Sequence, residues 1–165
     1  ASSAASDVYK RQEYGGTALK IEEFKNITIA YIRRTGNYGF ENKIFMENFK
    51  EYLREKELLD KSSVILGIAL DNPAMTDKNK LRYDVGLIVN GNPDIALDIR
   101  KIPDGIYAVF ELPHTEQDIT AFWSNIQKLV GSLSVDETKP VIERYPADKV
   151  AKHLCEFCIP LKKLS

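Results

Sequence analysis

Two glutamates, Glu143 and Glu156, carry the most chemical information in the chain. They sit in I-E-R-Y at 142–145 and H-L-C-E-F-C-I-P-L at 153–161, two strand-like stretches joined by a short connection, and their numbers are symmetric about residues 149 and 150. In a simple antiparallel hairpin centred there, the carboxylates stand opposite each other, about 5.5 Å apart at Cβ. Like charges so placed repel, so one must hold a proton or a cation must lie between them. A different register would leave one of them solvated at an edge, and spacing alone leaves both readings open. Glu143 and Tyr145 lie two apart and so share a face of their strand. Further aromatic residues, Tyr38, Tyr83, Tyr107, Phe110, Trp123 and Phe157, fall at strand or helix-start positions. Aromatic faces attract organic cations at roughly 0.5–2 kcal/mol per contact. Each could equally fill the core, and Trp123, lying in a helical apolar stripe, favours that role.

Other chemistries find no support. Neither His114 nor His153 has a Ser or Cys nucleophile at a recognisable spacing, and T-G-N-Y-G at 35–39 is too short for a phosphate loop and lacks a following lysine. Cys155 and Cys158 form C-E-F-C, but strand residues three apart point to opposite faces and there is no second ligand pair, so both read as reduced core thiols. No catalytic residue, metal ligand or cofactor is expected.

The elements that must position these groups can be read from periodicity. Residues 1–17 are small, polar and patternless, the composition of a disordered leader. Strands are expected at 18–24 and 27–33, joined by Lys25-Asn26 as a hairpin. An amphipathic helix follows over about 40–58, with Phe45, Phe49, Tyr52 and Leu53 on one side. Two more strands, 64–70 and 82–89, complete a β-β-α-β-β order. The stretch A-L-K-I-E-E-F at 18–24 then returns as A-L-D-I-R-K-I at 96–102, an offset of 78 residues. At that offset Ile29, Ala30 and Ile32 match Tyr107, Ala108 and Phe110. Phe45 and Phe49 match Phe122 and Ile126 after one deletion, and Thr115 with Asp118 offers a cap for the second helix. The fold class is therefore α+β, a tandem duplication of one module in a domain over 18–161, with repeats at 18–90 and 94–161. Antiparallel sheets of the two halves need mutual cover, and the junction between them is a natural ligand groove. Comparing the halves, Gly67 stands where the second has Glu143, and Asp84 where it has Glu156.

Charge limits the partners. With 23 Lys and Arg against 24 Asp and Glu, the formal net charge of −1 gives no field to draw in nucleic acid or an acidic membrane. No apolar run is long enough to span a bilayer and no secretory signal pattern appears, which makes the cytoplasm the default location.

The motifs Y-I-R-R-T-G-N-Y-G, I-L-G-I-A-L-D-N-P, R-Y-D-V-G-L-I-V, I-P-D-G-I-Y-A-V-F and I-E-R-Y-P closing on E-F-C-I-P-L, in that order over about 18–161, resemble the GyrI-like family. That family includes the effector-binding domains of AraC-type and multidrug-sensing MerR-type bacterial transcription regulators. The resemblance implies two modules in pseudo-twofold relation, with a groove for hydrophobic, often cationic, molecules in which a glutamate among aromatics accepts the cation. It places Glu143 and Glu156 on the strands of the family's acidic groove residues, with Tyr107 and Tyr145 as walls. P-H-T-E-Q at 113–117 departs from the family's H-x-G-P-Y, and residues before 18 are too few for a helix-turn-helix. The expected function is thus a stand-alone module that binds small hydrophobic, cationic molecules, without direct nucleic-acid or membrane contact. Alternatives are hydrolysis of reactive small molecules by a groove glutamate and tyrosine, or regulation through a protein partner, as in gyrase inhibition. A homodimer is left open.

Overall fold

The computed structural model describes residues 8–14, 17–91 and 94–163. Nine strands form one antiparallel sheet: β1 (Val8–Tyr14), β2 (Thr17–Phe24), β3 (Ile27–Thr35), β4 (Val64–Ala69), β5 (Arg82–Val89), β6 (Asp98–Ile102), β7 (Gly105–Pro113), β8 (Ile142–Pro146) and β9 (Leu154–Leu161). The helices are α1 (Phe40–Glu55), α2 (Glu116–Ser124) and the short α3 (Ile126–Leu129) and α4 (Ala147–Val150). The mixed α+β class and the β-β-α-β-β repeat are as the sequence indicates. Of the expected leader, 1–7 and 15–16 lie outside the described residues. Val8–Tyr14, where no pattern was expected, forms an edge strand on β2.

The strand order is β1-β2-β7-β9-β8-β4-β5-β3-β6. From β2 to β6 it is unchanged when the halves are exchanged, β2 with β6, β3 with β7, β4 with β8 and β5 with β9, so a pseudo-twofold axis runs between β4 and β8. Across that seam Leu66 pairs with Arg144, Gly67 with Glu143 and Ile68 with Ile142. The axis therefore passes through the Gly67–Glu143 pair.

One expectation is overturned here: β2 and β3 do not form a hairpin. β2 pairs with β7 of the second repeat, and β6 of the second repeat pairs with β3. Each half gives its first strand to the other. The two-residue link at Lys25-Asn26 carries the chain across rather than back, with Asn26 at φ 56 and its amide donating to Asp104 Oδ1 at 3.1 Å. Asp104 is the residue 78 positions on, so the two crossing links meet.

Strand alternation divides the buried side chains between two faces. One face carries the helices, with Met46, Phe49 and Leu53 of α1 and Phe122 of α2 packed over Leu19, Val85, Phe110, Phe157 and Ile159. The other holds a smaller apolar cluster including Phe24, Ile29, Leu66 and Tyr107, together with buried charges. α1 stops three residues short of the expected end because Glu57 turns to φ 55, and Leu58 N–H and Glu57 N–H close on the Leu53 and Arg54 carbonyls at 2.9 and 3.0 Å. α2 starts at the expected cap, Thr115 Oγ accepting from the Asp118 amide at 3.0 Å. No helix among the described residues is long and apolar enough to cross a membrane.

Candidate functional site

The β8–β9 register decides between the two readings of the glutamates. Arg144 pairs with Glu156 and Glu143 with Phe157, one residue away from the arrangement that would set the two carboxylates opposite each other. Because side chains alternate, that single step sends Glu143 and Glu156 to opposite faces of the sheet. They do not share a groove.

Glu143 lies on the helix face, on the pseudo-twofold axis. Tyr145 Oη donates to its Oε1 at 2.6 Å and Tyr83 Oη approaches the same oxygen at 3.3 Å. Among the described residues no lysine or arginine is within ion-pair distance of it. It is half-buried, neither wholly enclosed nor open to solvent. Burial pushes its pKa up, against the hydrogen bonds of Tyr145 and Tyr83, which lower it. Burial and the adjacent carboxylate likewise raise the hydroxyls of Tyr83 and Tyr145, so both remain protonated donors. Cys155, the counterpart of Tyr83 in the second repeat, lies on the same face, its thiol raised to about 12 mainly by burial.

Gly67 makes this meeting sterically feasible. A Cβ built there would overlap the Tyr83 hydroxyl and lie 3.1 Å from Glu143 Oε1 and 3.2 Å from Met46 Cε. Had both halves kept a side chain on the axis, neither could extend its carboxylate across it. Met46 comes from α1, while Trp123 of α2 stands edge-on to Phe157 at 5.3 Å between ring centroids. Trp123 is 41% exposed rather than buried in the core. It stays exposed because Phe122, its neighbour, takes the inward position and stacks on Phe157 at 5.0 Å.

The remaining expected site residues divide. Tyr38 anchors the loop before α1, its hydroxyl donating to the Arg82 carbonyl at 2.6 Å, and its ring meets Tyr83 at 6.4 Å. Phe110 is wholly buried against Phe122 and serves the core. Tyr107 faces the other side of the sheet, stacked on Phe24 at 4.1 Å. Glu156, 1% exposed, is there too, held by Arg144 at 2.8 Å; Arg144 also grips Glu22 of the exchanged β2 at 2.6 and 3.0 Å. Glu22 is held below the usual carboxylate range: burial opposes this, but the hydrogen bonds and charge of Arg144, with Lys20, outweigh it. A matching cluster, Asp84 between Arg33 and Arg100, fastens the exchanged β6. Glu156 is thus a neutralised structural carboxylate and Glu143 the one without a cation. The sequence does not single out Met46 as a site residue, and beside the glutamate's own contacts stand two further residues, Lys50 and His114. The last two approach the Tyr145 ring, with Lys50 Nζ at 5.5 Å and the imidazole centroid at 5.3 Å. Among the described residues no group of three or more His, Cys, Asp or Glu is placed to hold a metal ion.

The sequence profile of the GyrI-like small molecule binding domain matches residues 17–162. The SPbeta prophage-derived protein YosT of Bacillus subtilis (strain 168), named a candidate transcriptional regulator, is 38% identical over 148 residues, covering 87% of this chain and 99% of that protein. Among solved structures, SAV2435 bound to tetraphenylphosphonium superposes with a TM-score of 0.60 at 16% identity, over 93% of this chain and 94% of that one. The EcmrR C-terminal domain gives 0.62 at 10% identity, over 94% and 100%. At such identities the two structures speak for the fold alone.

Proposed function

Since the chain belongs to the GyrI-like family of small-molecule-binding domains, we propose that its ligand is a hydrophobic organic cation, received at Glu143 on the helix face of the sheet. The observation that carries this reading is a deep carboxylate with two tyrosine donors, aromatic neighbours and no cationic partner among the described residues. Burying such a charge unpaired is costly, and a guest cation relieves the cost where a protein lysine would remove the vacancy. Aromatic edges and faces around it suit a large, weakly hydrated cation better than a metal ion. Relatives support the same reading: SAV2435 was solved with a lipophilic phosphonium, and YosT is named for transcriptional regulation. The module's role is then effector recognition, with readout passed to a protein partner.

The test is calorimetric titration with tetraphenylphosphonium. Glu143→Gln, which keeps shape and hydrogen bonding but removes the charge, should weaken binding about 10- to 100-fold. Unchanged affinity in that variant would reject the carboxylate role.

A further inference from the structure

A cavity of about 380 Å³ opens between α1 and α4, and Tyr145, the hydrogen-bond partner of Glu143, lines it. Its rim carries Lys50 and Arg54, one helical turn apart on α1, with Glu47 and Asp60, and its floor includes Tyr145 and Ile65. Tyr145 is the shared wall, for its hydroxyl binds Glu143 while its ring lies under the Lys50 ammonium.

The charges on this rim are not equally committed. Asp60 is satisfied within its own turn, accepting from the Ser62 amide at 2.8 Å and the Ser62 hydroxyl at 2.7 Å, and its pKa is lowered by those hydrogen bonds. The Lys50 side chain is only 16% exposed, yet among the described residues its one ion-pair contact is Glu47 at 3.6 Å, itself 58% exposed. That separation is too long for a good hydrogen bond. The ammonium therefore has an aromatic face and a loose ion pair as its contacts among the described residues. Arg54 adds a second positive charge on the same side, its own contact with Glu51 being solvent-exposed at 3.3 Å. Tyr145 thus touches groups of opposite charge, its hydroxyl on a carboxylate with no ion-pair partner among the described residues and its ring under a loosely paired ammonium.

We infer that the cavity between α1 and α4 receives an anionic group of the same ligand, so that the site favours a zwitterion, with its cation at Glu143 and its anion at Lys50. This rests on the Glu143 reading and adds to it the chemical class of the ligand. A purely cationic guest would meet repulsion from Lys50, whereas a zwitterion would complete both halves of the site. Lys50 is the residue that makes the distinction.

A matched dye pair tests it. Rhodamine B carries a free carboxylate and rhodamine 6G the corresponding ester, on closely similar cationic ring systems. The wild-type chain should bind rhodamine B about three- to tenfold more tightly than rhodamine 6G. Lys50→Met should abolish that preference, and should leave tetraphenylphosphonium binding unchanged or tighter. Lys50→Gln, with an unchanged melting temperature, guards against a folding artefact. If both dyes lose affinity on Glu143→Gln but show no carboxylate preference, or one that survives Lys50→Met, the zwitterion inference is overturned while the cation site stands. Absence of binding by all three probes would overturn both.

Discussion

At Glu143, burial favours the protonated acid while two tyrosine hydroxyls favour the anion, and burial wins. The folded chain therefore holds this proton more tightly than the unfolded chain, whose carboxylate titrates near the ordinary 4.5. Folding stability is lost as pH rises from that value through the raised one, because the folded state must then carry an unpaired buried anion. Glu143→Gln should accordingly be more stable than wild type above this range, with the difference shrinking as pH falls below it, as thermal melts across pH would read. Cation affinity runs in the opposite direction, increasing with pH through the same range as the receiving carboxylate ionises. A flat affinity profile would contradict the assignment. Tyr145→Phe, which removes the 2.6 Å donor, should move the rise in affinity to higher pH. Gly67→Ala places a methyl group against Tyr83 and Glu143. It should cost about 1–3 kcal/mol of stability and weaken tetraphenylphosphonium binding at least tenfold, measured by denaturation and calorimetry together.

Among the elements, the exchanged strands distinguish this fold from two hairpin modules set side by side. β2 is fastened by Arg144 through Glu22 and Glu156, and β6 by Arg100 through Asp84. The two anchors are not equivalent. Arg144→Ala strands two carboxylates at 15% and 1% exposure with only the longer contacts of Lys20 and Lys149. A loss of about 3–5 kcal/mol is expected. Arg100→Ala leaves Asp84 still paired with Arg33 and should cost about 1–2 kcal/mol. Urea denaturation midpoints check the order, and equal losses would refute it. These elements were largely legible in the sequence: every strand of both repeats, the α2 cap and the 78-residue echo follow from local pattern. Strand partnership was not, because a two-residue link reads alike whether the chain reverses or crosses. Glu22 and Arg100, charged at matching positions of the two first strands, were the only local trace of the exchange. Sequence left the placement of the two glutamates open for a related reason, since one residue of register separates a shared groove from opposite faces.

Across the whole molecule, pseudo-symmetry explains why the proposed site has one carboxylate on the axis rather than two. The axis passes through a single residue pair, and only a glycine on one side lets a glutamate occupy it from the other. The proposed function therefore predicts one organic cation per chain, which the calorimetric titration reads as its stoichiometry. The off-axis acids Asp84 and Glu156, by contrast, occur in both repeats and are both consumed by arginines. The most direct test of this account compares tetraphenylphosphonium affinity in Glu143→Gln and Glu156→Gln, each first shown to be folded at the titration temperature. The account predicts a loss of about 10- to 100-fold in the first and less than about twofold in the second. Equal losses in both, or a loss confined to Glu156→Gln, would contradict it.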